Sequence, residues 1–222
     1  MSDREALDAF LGKWRERWPE WRIAEAFLPA PRREATLAWL ALRQELADAA
    51  WQGADPRPGA AKLAWWSDEL RGWAQGRRRH PLGLALQREP APWEALGLAV
   101  PALAALREAP HADAADAALA PFAAAAVACS AAIAGEPAPA EAAAQRDGAL
   151  AAGLRAMRAL AATPAASPLP AGPRHRAGTR ADRIFAALAH ERLRAQAAGR
   201  AAASPWRTLW AAWRAGRSIP RA

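Results

Sequence analysis

Apolar residues recur at the three- and four-residue spacing of an α-helix along most of this chain, and no convincing period-2 alternation typical of strands interrupts them. Leu7, Leu11 and Trp14 begin the first such stripe, and Ser2 with Glu5 has the spacing of a capping box. Proline and glycine divide the pattern into about eight longer helices, predicted at 2–18, 32–51, 60–75, 93–107, 113–134, 140–162, 180–198 and 204–216, with shorter ones at 21–28 and 81–87.

These segments predict an all-α helical bundle that forms a single domain over residues 1–222. Composition supports this prediction, because alanine, leucine, arginine and glutamate favour helices, while the chain has no tyrosine and few β-branched residues. A length of 222 residues is enough to bury a hydrophobic core. Prolines and glycines cluster at 163–179, which we expect to be an exposed loop.

The formal net charge of +8 comes almost entirely from arginine, since Lys13 and Lys62 are the only lysines. We interpret this mainly as a coding bias towards GC-rich codons, with a basic face for anionic partners as the alternative. The single cysteine, Cys129, cannot form an internal disulfide, fits a reducing compartment and is expected to be a small buried residue.

The sequence predicts a cytoplasmic protein, with peripheral contact to the inner membrane as an alternative. The N-terminus is charged and has no apolar leader segment. The most apolar stretch, 112–133, contains Asp113, Asp116 and Pro121, so we expect it to fall short of a membrane-spanning helix.

The most distinctive segment is Lys62-Leu63-Ala64-Trp65-Trp66-Ser67-Asp68-Glu69-Leu70, which is followed ten residues later by His80-Pro81-Leu82. Upstream, the runs Phe27-Leu28-Pro29 and Arg43-Gln44-Glu45-Leu46-Ala47-Asp48 keep the same register. This arrangement resembles the squalene/phytoene synthase family, most closely a divergent branch that includes a phytoene-synthase-like assembly factor for respiratory complex I. The resemblance is strong over residues 27–86 and weak from there to about residue 170.

The resemblance implies an isoprenoid-synthase-like bundle around an apolar cavity, in which two aspartate-rich motifs on facing helices hold Mg²⁺ against the diphosphates of two prenyl substrates. Carboxylates are suitable ligands because Mg²⁺ prefers oxygen, and the metal neutralises the departing diphosphate. Here the first motif would fall at 43–50, where only Glu45 and Asp48 are acidic. The second would fall at 156–162, which contains no carboxylate.

Two functions therefore compete. The leading hypothesis is a non-catalytic homologue with degenerate motifs, without a cofactor, that binds a protein or prenyl-lipid partner in an assembly-type role. The alternative is an active Mg²⁺-dependent prenyltransferase that joins two prenyl diphosphates. Its candidate metal- or diphosphate-facing residues are Arg43, Glu45, Asp48, Asp68 and Glu69, while Trp65, Trp66, His80 and Pro81 are expected to be structural.

A second tryptophan-rich stripe lies near the C-terminus, where Trp206, Leu209, Trp210 and Trp213 share one helical face. This stripe either docks onto the bundle or rests on an anionic membrane surface, because tryptophan and the neighbouring arginines both suit that interface. The sequence has no nucleic-acid-reading motif and no histidine or cysteine pair at zinc-ligand spacing. We therefore expect the protein to bind neither nucleic acid nor zinc.

Overall fold

A computed structural model of the chain describes residues 2–107, 112–139, 148–161, 177–200 and 204–217, without the side chains of residues 112 and 113, and every regular element in these ranges is helical. The all-α prediction is confirmed. The α-helices are α1 Asp3–Arg17, α2 Trp21–Ala24, α3 Arg33–Trp51, α4 Pro56–Ala74, α5 Gly83–Leu86, α6 Trp93–Ala99, α7 Ala102–Ala105, α8 Ala112–Ala134, α9 Ala149–Ala161, α10 Arg180–Ala197 and α11 Pro205–Arg217. Short 3₁₀ helices occupy Glu25–Phe27 and Ala30–Arg32.

The first helix begins where the capping box predicts. Ser2 Oγ accepts a hydrogen bond from the Glu5 backbone N–H at 3.2 Å, and the Glu5 carboxylate accepts one from the Ser2 backbone N–H at 2.8 Å. These two bonds satisfy donors that the first turn of a helix leaves without intrahelical partners. Behind the cap, Leu7, Leu11 and Trp14 are buried as the stripe requires.

Helix α3 is the centre of the bundle and is buried on nearly every side. It contacts α1, α4, α8 and α9, so three of its polar residues, Thr36, Arg43 and Gln44, are buried as well as most of its apolar ones. The sequence indicates only one apolar face, because leucine and alanine alternate with arginine, glutamine and glutamate along this segment. Two of those polar residues, Arg43 and Gln44, are buried.

Helix α4 begins at Pro56, four residues before the start of the helix predicted at 60–75. Asp55 caps the helix by accepting a hydrogen bond from the Arg57 backbone N–H at 3.0 Å, and proline is tolerated in a first turn because its missing N–H needs no partner there. Gly59 permits close packing on α3, since a Cβ at Gly59 would lie 2.1 Å from the carbonyl oxygen of Ala49.

Proline has two different effects further along the chain. The predicted helix at 93–107 is divided into α6 and α7, with Pro101 just before the second one. Pro121, in contrast, lies inside α8 without ending it. As a result, Ala114–Ala134 is long and apolar enough to cross a membrane by length and composition, and our expectation that it falls short was wrong. Half of its most apolar window is buried inside the bundle, as in a core helix.

Two predicted segments fall largely outside the described residues. They are the loop at 163–179, of which only residues 177–179 are described, and the first part of the helix at 140–162. The described part of that helix is α9.

Candidate functional site

The adjacent tryptophans of the Trp-Trp motif have different environments. Trp66 is buried, and its ring lies 4.6 Å from the ring of His80 and 6.5 Å from that of Trp73. Trp65 retains 37% exposure. Consecutive residues on a helix point about 100° apart, so only one of the pair faces the core. The motif therefore supplies one tryptophan that packs in the core, Trp66, and one that stays partly exposed, Trp65.

Glu69 holds the loop between α4 and α5. Its Oε1 accepts hydrogen bonds from the backbone N–H groups of Arg79 at 2.7 Å and His80 at 2.9 Å, and from Trp73 Nε1 at 2.9 Å. Arg79 Nε donates to Oε2 at 2.8 Å. Burial alone would raise the pKa of Glu69, but these hydrogen bonds lower it further than burial raises it. Glu69 thus forms its ion pair with Arg79, a residue of the loop that it holds.

His80 and Pro81 form the turn that enters α5. His80 Nδ1 accepts a hydrogen bond from the Leu82 backbone N–H at 3.2 Å, and the imidazole stacks edge-on against Phe10 at 4.9 Å between ring centroids. Burial lowers the pKa of His80. A neutral imidazole that accepts at Nδ1 is consistent with a capping role in this turn.

The two candidate carboxylates of α3, Glu45 and Asp48, are both engaged by neighbouring side chains. Glu45 forms an ion pair with Lys62 at 2.6 Å. Asp48 accepts from Arg17 at 2.5 Å and from Gln44 Nε2 at 2.6 Å. These contacts point the two carboxylates to different partners on α4 and α1, so the three-residue spacing does not place them in a shared site.

The four candidate metal ligands do not fit a Mg²⁺ site. Mg²⁺ requires near-octahedral oxygen coordination, usually from one or two carboxylates with uncommitted lone pairs. Asp68 is exposed and lies 3.8 Å from Arg71, and the Glu69 carboxylate already accepts four hydrogen bonds. Among the described residues, no group of three or more histidine, cysteine, aspartate or glutamate side chains is placed to hold a metal ion. The structure leaves Glu45, Asp48, Asp68 and Glu69 in separate ion pairs.

Arg43, the candidate diphosphate contact, lies inside the bundle. Its Nη1 donates to Asp182 Oδ1 at 2.6 Å, and the two side chains are 0% and 1% exposed. The guanidinium also lies over the ring of Phe185, 4.9 Å from its centroid. Burial lowers the pKa of Arg43, and its Nε and Nη2 have no hydrogen-bond partner among the described residues. The Arg43 cation therefore forms its ion pair inside the core.

Asp182 is the central acceptor of this network, and the sequence analysis missed it. Ser130 Oγ donates to Asp182 Oδ1 at 3.0 Å, Thr179 Oγ1 donates to Oδ2 at 2.7 Å, and Trp39 Nε1 donates to Ser130 Oγ at 2.7 Å. One local signal was present, because Thr179 and Asp182 have the spacing of a helix cap and the Asp182 backbone N–H does donate to Thr179 Oγ1. Nothing local predicts the pairing with Arg43.

A cleft of about 220 Å³ lies where the resemblance would place the two facing acid motifs, between α3 and α9. Asp48 on α3 faces Met157, Leu160 and Ala161 on α9, so one wall is apolar. The remaining lining residues are Arg17, Trp18, Gln44, Ala47, Gln52, Arg192 and Gln196. Small-molecule sites typically measure about 300–1,000 Å³, so this cleft is small for a prenyl diphosphate.

The tryptophan stripe of α11 faces away from the bundle. Trp206, Trp210 and Trp213 are 76%, 58% and 38% exposed, while Thr208 and Ala212 on the opposite face are buried. The alternative in which the stripe docks onto the bundle is therefore wrong. The helix docks through its small residues instead.

Comparisons of this chain with models of protein families, with curated proteins and with solved structures found no match. The fold and site thus define an all-α bundle whose candidate catalytic residues are dispersed. The family resemblance stays a prediction that rests on the motifs of residues 27–86.

Proposed function

We propose that this chain is a non-catalytic homologue of the squalene/phytoene synthases that acts by binding a lipid or protein partner on its outer surface. The observation that carries this proposal is the buried Arg43–Asp182 ion pair, which occupies the interior where a prenyl cavity would need a polar site. We further propose a cytoplasmic location with peripheral contact to the inner membrane.

Prenyl transfer of this type needs a diphosphate that leaves with its charge neutralised. For Arg43 to contact a diphosphate, it would have to leave Asp182 inside a low-dielectric core. Breaking a buried pair by withdrawing one partner costs about 3–5 kcal/mol, since the other charge stays buried and uncompensated. Together with the dispersed carboxylates, this cost disfavours catalysis at the inherited position.

The polar residues of the family-like motifs instead hold the bundle together. Glu69 fixes the loop after α4, and Glu45 joins α3 to α4 through Lys62. A rigid helical body of this kind can present an outer face to a partner without binding a substrate inside.

Incubation of the purified protein with labelled farnesyl and geranylgeranyl diphosphate and Mg²⁺ tests the proposal. We expect diphosphate release no faster than in the absence of protein, from a sample that circular dichroism shows to be folded and helical. Release that disappears in Glu45→Gln or Asp48→Asn, with Glu34→Gln, an exposed carboxylate of the same helix outside the candidate set, as the matched control, would overturn the proposal and establish a prenyltransferase.

Calorimetric titration with a non-ionising prenyl thiodiphosphate separates an inherited cavity from an outer binding face. We expect no saturable binding, because the cleft beside Asp48 is small and its arginines are paired with Asp48 and Glu20. Saturable binding that Met157→Trp abolishes would show that the cavity itself is the lipid site and would contradict the outer-surface role.

A further inference from the structure

Helix α11 separates its large and small residues on opposite faces. At about 100° per residue, Trp206, Trp210 and Trp213 fall within an arc of about 60°. Thr208 and Ala212 lie on the other side and are buried. The helix is therefore amphipathic in an unusual sense, since its bulkiest apolar side chains are the ones in solvent.

This orientation is fixed by specific contacts on the inner side of the helix. Arg183 Nε donates to the backbone carbonyl of Ala215 at 3.1 Å, and Arg207 Nε forms an ion pair with Glu191 at 3.0 Å. Gly216 also faces α10, where a Cβ added to it would lie at an ordinary contact distance of 3.6 Å from Ile184 Cδ1. Rotating the tryptophans inwards would break these contacts and place indoles where Thr208 and Ala212 are now buried.

The exposed apolar side chains of α11 form one continuous face and contact one another. Trp210 and Trp213 pack edge-to-face with 5.1 Å between ring centroids, and together with Leu209 they line a shallow, open apolar depression. Arg217 lies over the ring of Trp213 at 4.6 Å. Single exposed apolar residues are ordinary on a protein surface, but a grouped set of this kind indicates an interaction site.

The charge on this helix identifies the kind of partner. Residues 205–217 contain Arg207, Arg214 and Arg217 and no acidic residue. A second copy of the chain would bring the same arginines into opposition and carries the same net charge of +8, which disfavours self-pairing through this face. An anionic partner is favoured.

We propose that α11 lays its tryptophan face on the surface of an anionic lipid bilayer, with the arginines at the level of the headgroups. The face is a convex helix, which can enter the interfacial region of a bilayer without a preformed groove. Indole rings and long arginine side chains both place an apolar body in the membrane and a polar end in water. The inference names the partner for the proposed non-catalytic role and rests on that proposal for its biological setting.

Flotation of the full-length protein with vesicles tests the inference, using phosphatidylcholine alone and phosphatidylcholine with 30% phosphatidylglycerol. We expect binding to the anionic vesicles that weakens steeply as salt increases. The double variant Trp206→Ala and Trp210→Ala should reduce the partition coefficient at least about 10-fold, because buried apolar area drives interfacial binding. The variant Trp65→Ala, which removes a partly exposed tryptophan from α4, should leave it unchanged.

The arginines provide a second, independent readout. Arg214→Gln with Arg217→Gln should reduce binding to anionic vesicles about 10-fold or more while barely changing the weak binding to neutral ones. Circular dichroism should show that each variant keeps its helix content. Binding to anionic vesicles that both double variants retain would overturn the inference.

Three further outcomes distinguish this inference from its alternatives. Sedimentation velocity that shows a dimer dissociated by Trp210→Ala would assign the face to a second copy and overturn the lipid assignment. Vesicle binding together with diphosphate release would overturn the proposed function and leave the lipid surface in place. Absence of both vesicle binding and diphosphate release would overturn the proposed lipid-binding surface and leave the proposed function in place.

Discussion

The centre of the bundle and its last helix depart from the usual distribution of residues in opposite ways. The centre buries a cation, Arg43, against Asp182, and α11 leaves Trp206 and Trp210 in water. The buried charge is matched by a counter-charge and by hydrogen bonds to its partner, which is what a low-dielectric interior requires. The exposed indoles have no such compensation within the described residues. The first departure is explained by the fold, and the second indicates a partner outside it.

The strongest way to sharpen this comparison is to remove a tryptophan from each region. Trp66→Ala should lower the free energy of unfolding by about 4 kcal/mol, because it removes a large buried ring and leaves a cavity. Trp206→Ala should change it by no more than about 0.5 kcal/mol, as is usual for exposed positions. Guanidinium unfolding followed by circular dichroism measures both. A cost above about 1.5 kcal/mol at Trp206 would show that the exposed face contributes to folding and would contradict the contrast drawn here.

The next largest effect should come from breaking the central ion pair. Asp182→Asn keeps the shape of the side chain but removes its charge, so Arg43 becomes an uncompensated buried cation, and we expect a loss of about 3 kcal/mol. Replacing the pair together, with Arg43→Met and Asp182→Leu, should return stability to within about 1 kcal/mol of the original chain. The midpoint of urea unfolding reports the difference. If the double replacement is no more stable than Asp182→Asn, the pair contributes more than charge compensation.

Glu69 tests whether a second buried carboxylate is equally structural. Glu69→Gln replaces an acceptor with an amide that opposes some of the four donors around it, and we expect a loss of about 2 kcal/mol at neutral pH. Its neighbour Asp68 is exposed and provides the matched control, since Asp68→Asn should be nearly neutral. A similar cost for both substitutions would mean that the loss arises from α4 as a whole and not from the loop that Glu69 holds.

The pH dependence of Glu69 has a defined sign. Its pKa is lowered in the folded chain, so its stabilising contribution is present above its unfolded value near 4.5 and is lost as pH falls towards and through the folded value. Unfolding midpoints measured from pH 6 to pH 3 should therefore fall less steeply for Glu69→Gln than for the original chain.

The smallest expected effect concerns His80. Burial lowers the pKa of His80, so the folded chain binds this proton more weakly than the unfolded chain does. The stability contributed by neutral His80 is fully present above about pH 6.5, the unperturbed value, and is lost as pH falls below it. His80→Asn, which keeps an acceptor for the Leu82 N–H, should flatten the dependence between pH 7.5 and 5.5. The pH dependence of His190→Gln is measured for comparison with that of His80→Asn, because burial also lowers the pKa of His190.

Local features of the fold could be predicted from the sequence, and long-range ones could not. The capping box at Ser2 and the helical identity of almost every segment follow from interactions a few residues apart. The start of α4 was missed because Asp55, Pro56 and Pro58 suit a turn and a helix N-terminus equally well. The two prolines in the later helices have opposite outcomes, since Pro101 separates α6 from α7 and Pro121 lies inside α8 without ending it.

The candidate site illustrates the same limit. Residues three apart on a helix can share a face, but the partners of Glu45 and Asp48 come from other helices and draw the two carboxylates apart. The stripe on α11 was phased correctly, yet periodicity defines a face without saying whether it turns inwards. That direction was decided by the small residues opposite, such as Ala212, which allow closer packing than indoles would.

The Arg43–Asp182 pair also has a consequence for synthesis on the ribosome. Its two residues are 139 positions apart, and a ribosome adding about 5–20 residues per second needs roughly 7–28 s to pass from one to the other. During that interval the guanidinium of α3 has no counter-ion, so the nascent N-terminal half cannot close its interior around it. Chains arrested before Thr179 should be helical yet susceptible to protease along α3, and protection should appear only when α10 has emerged.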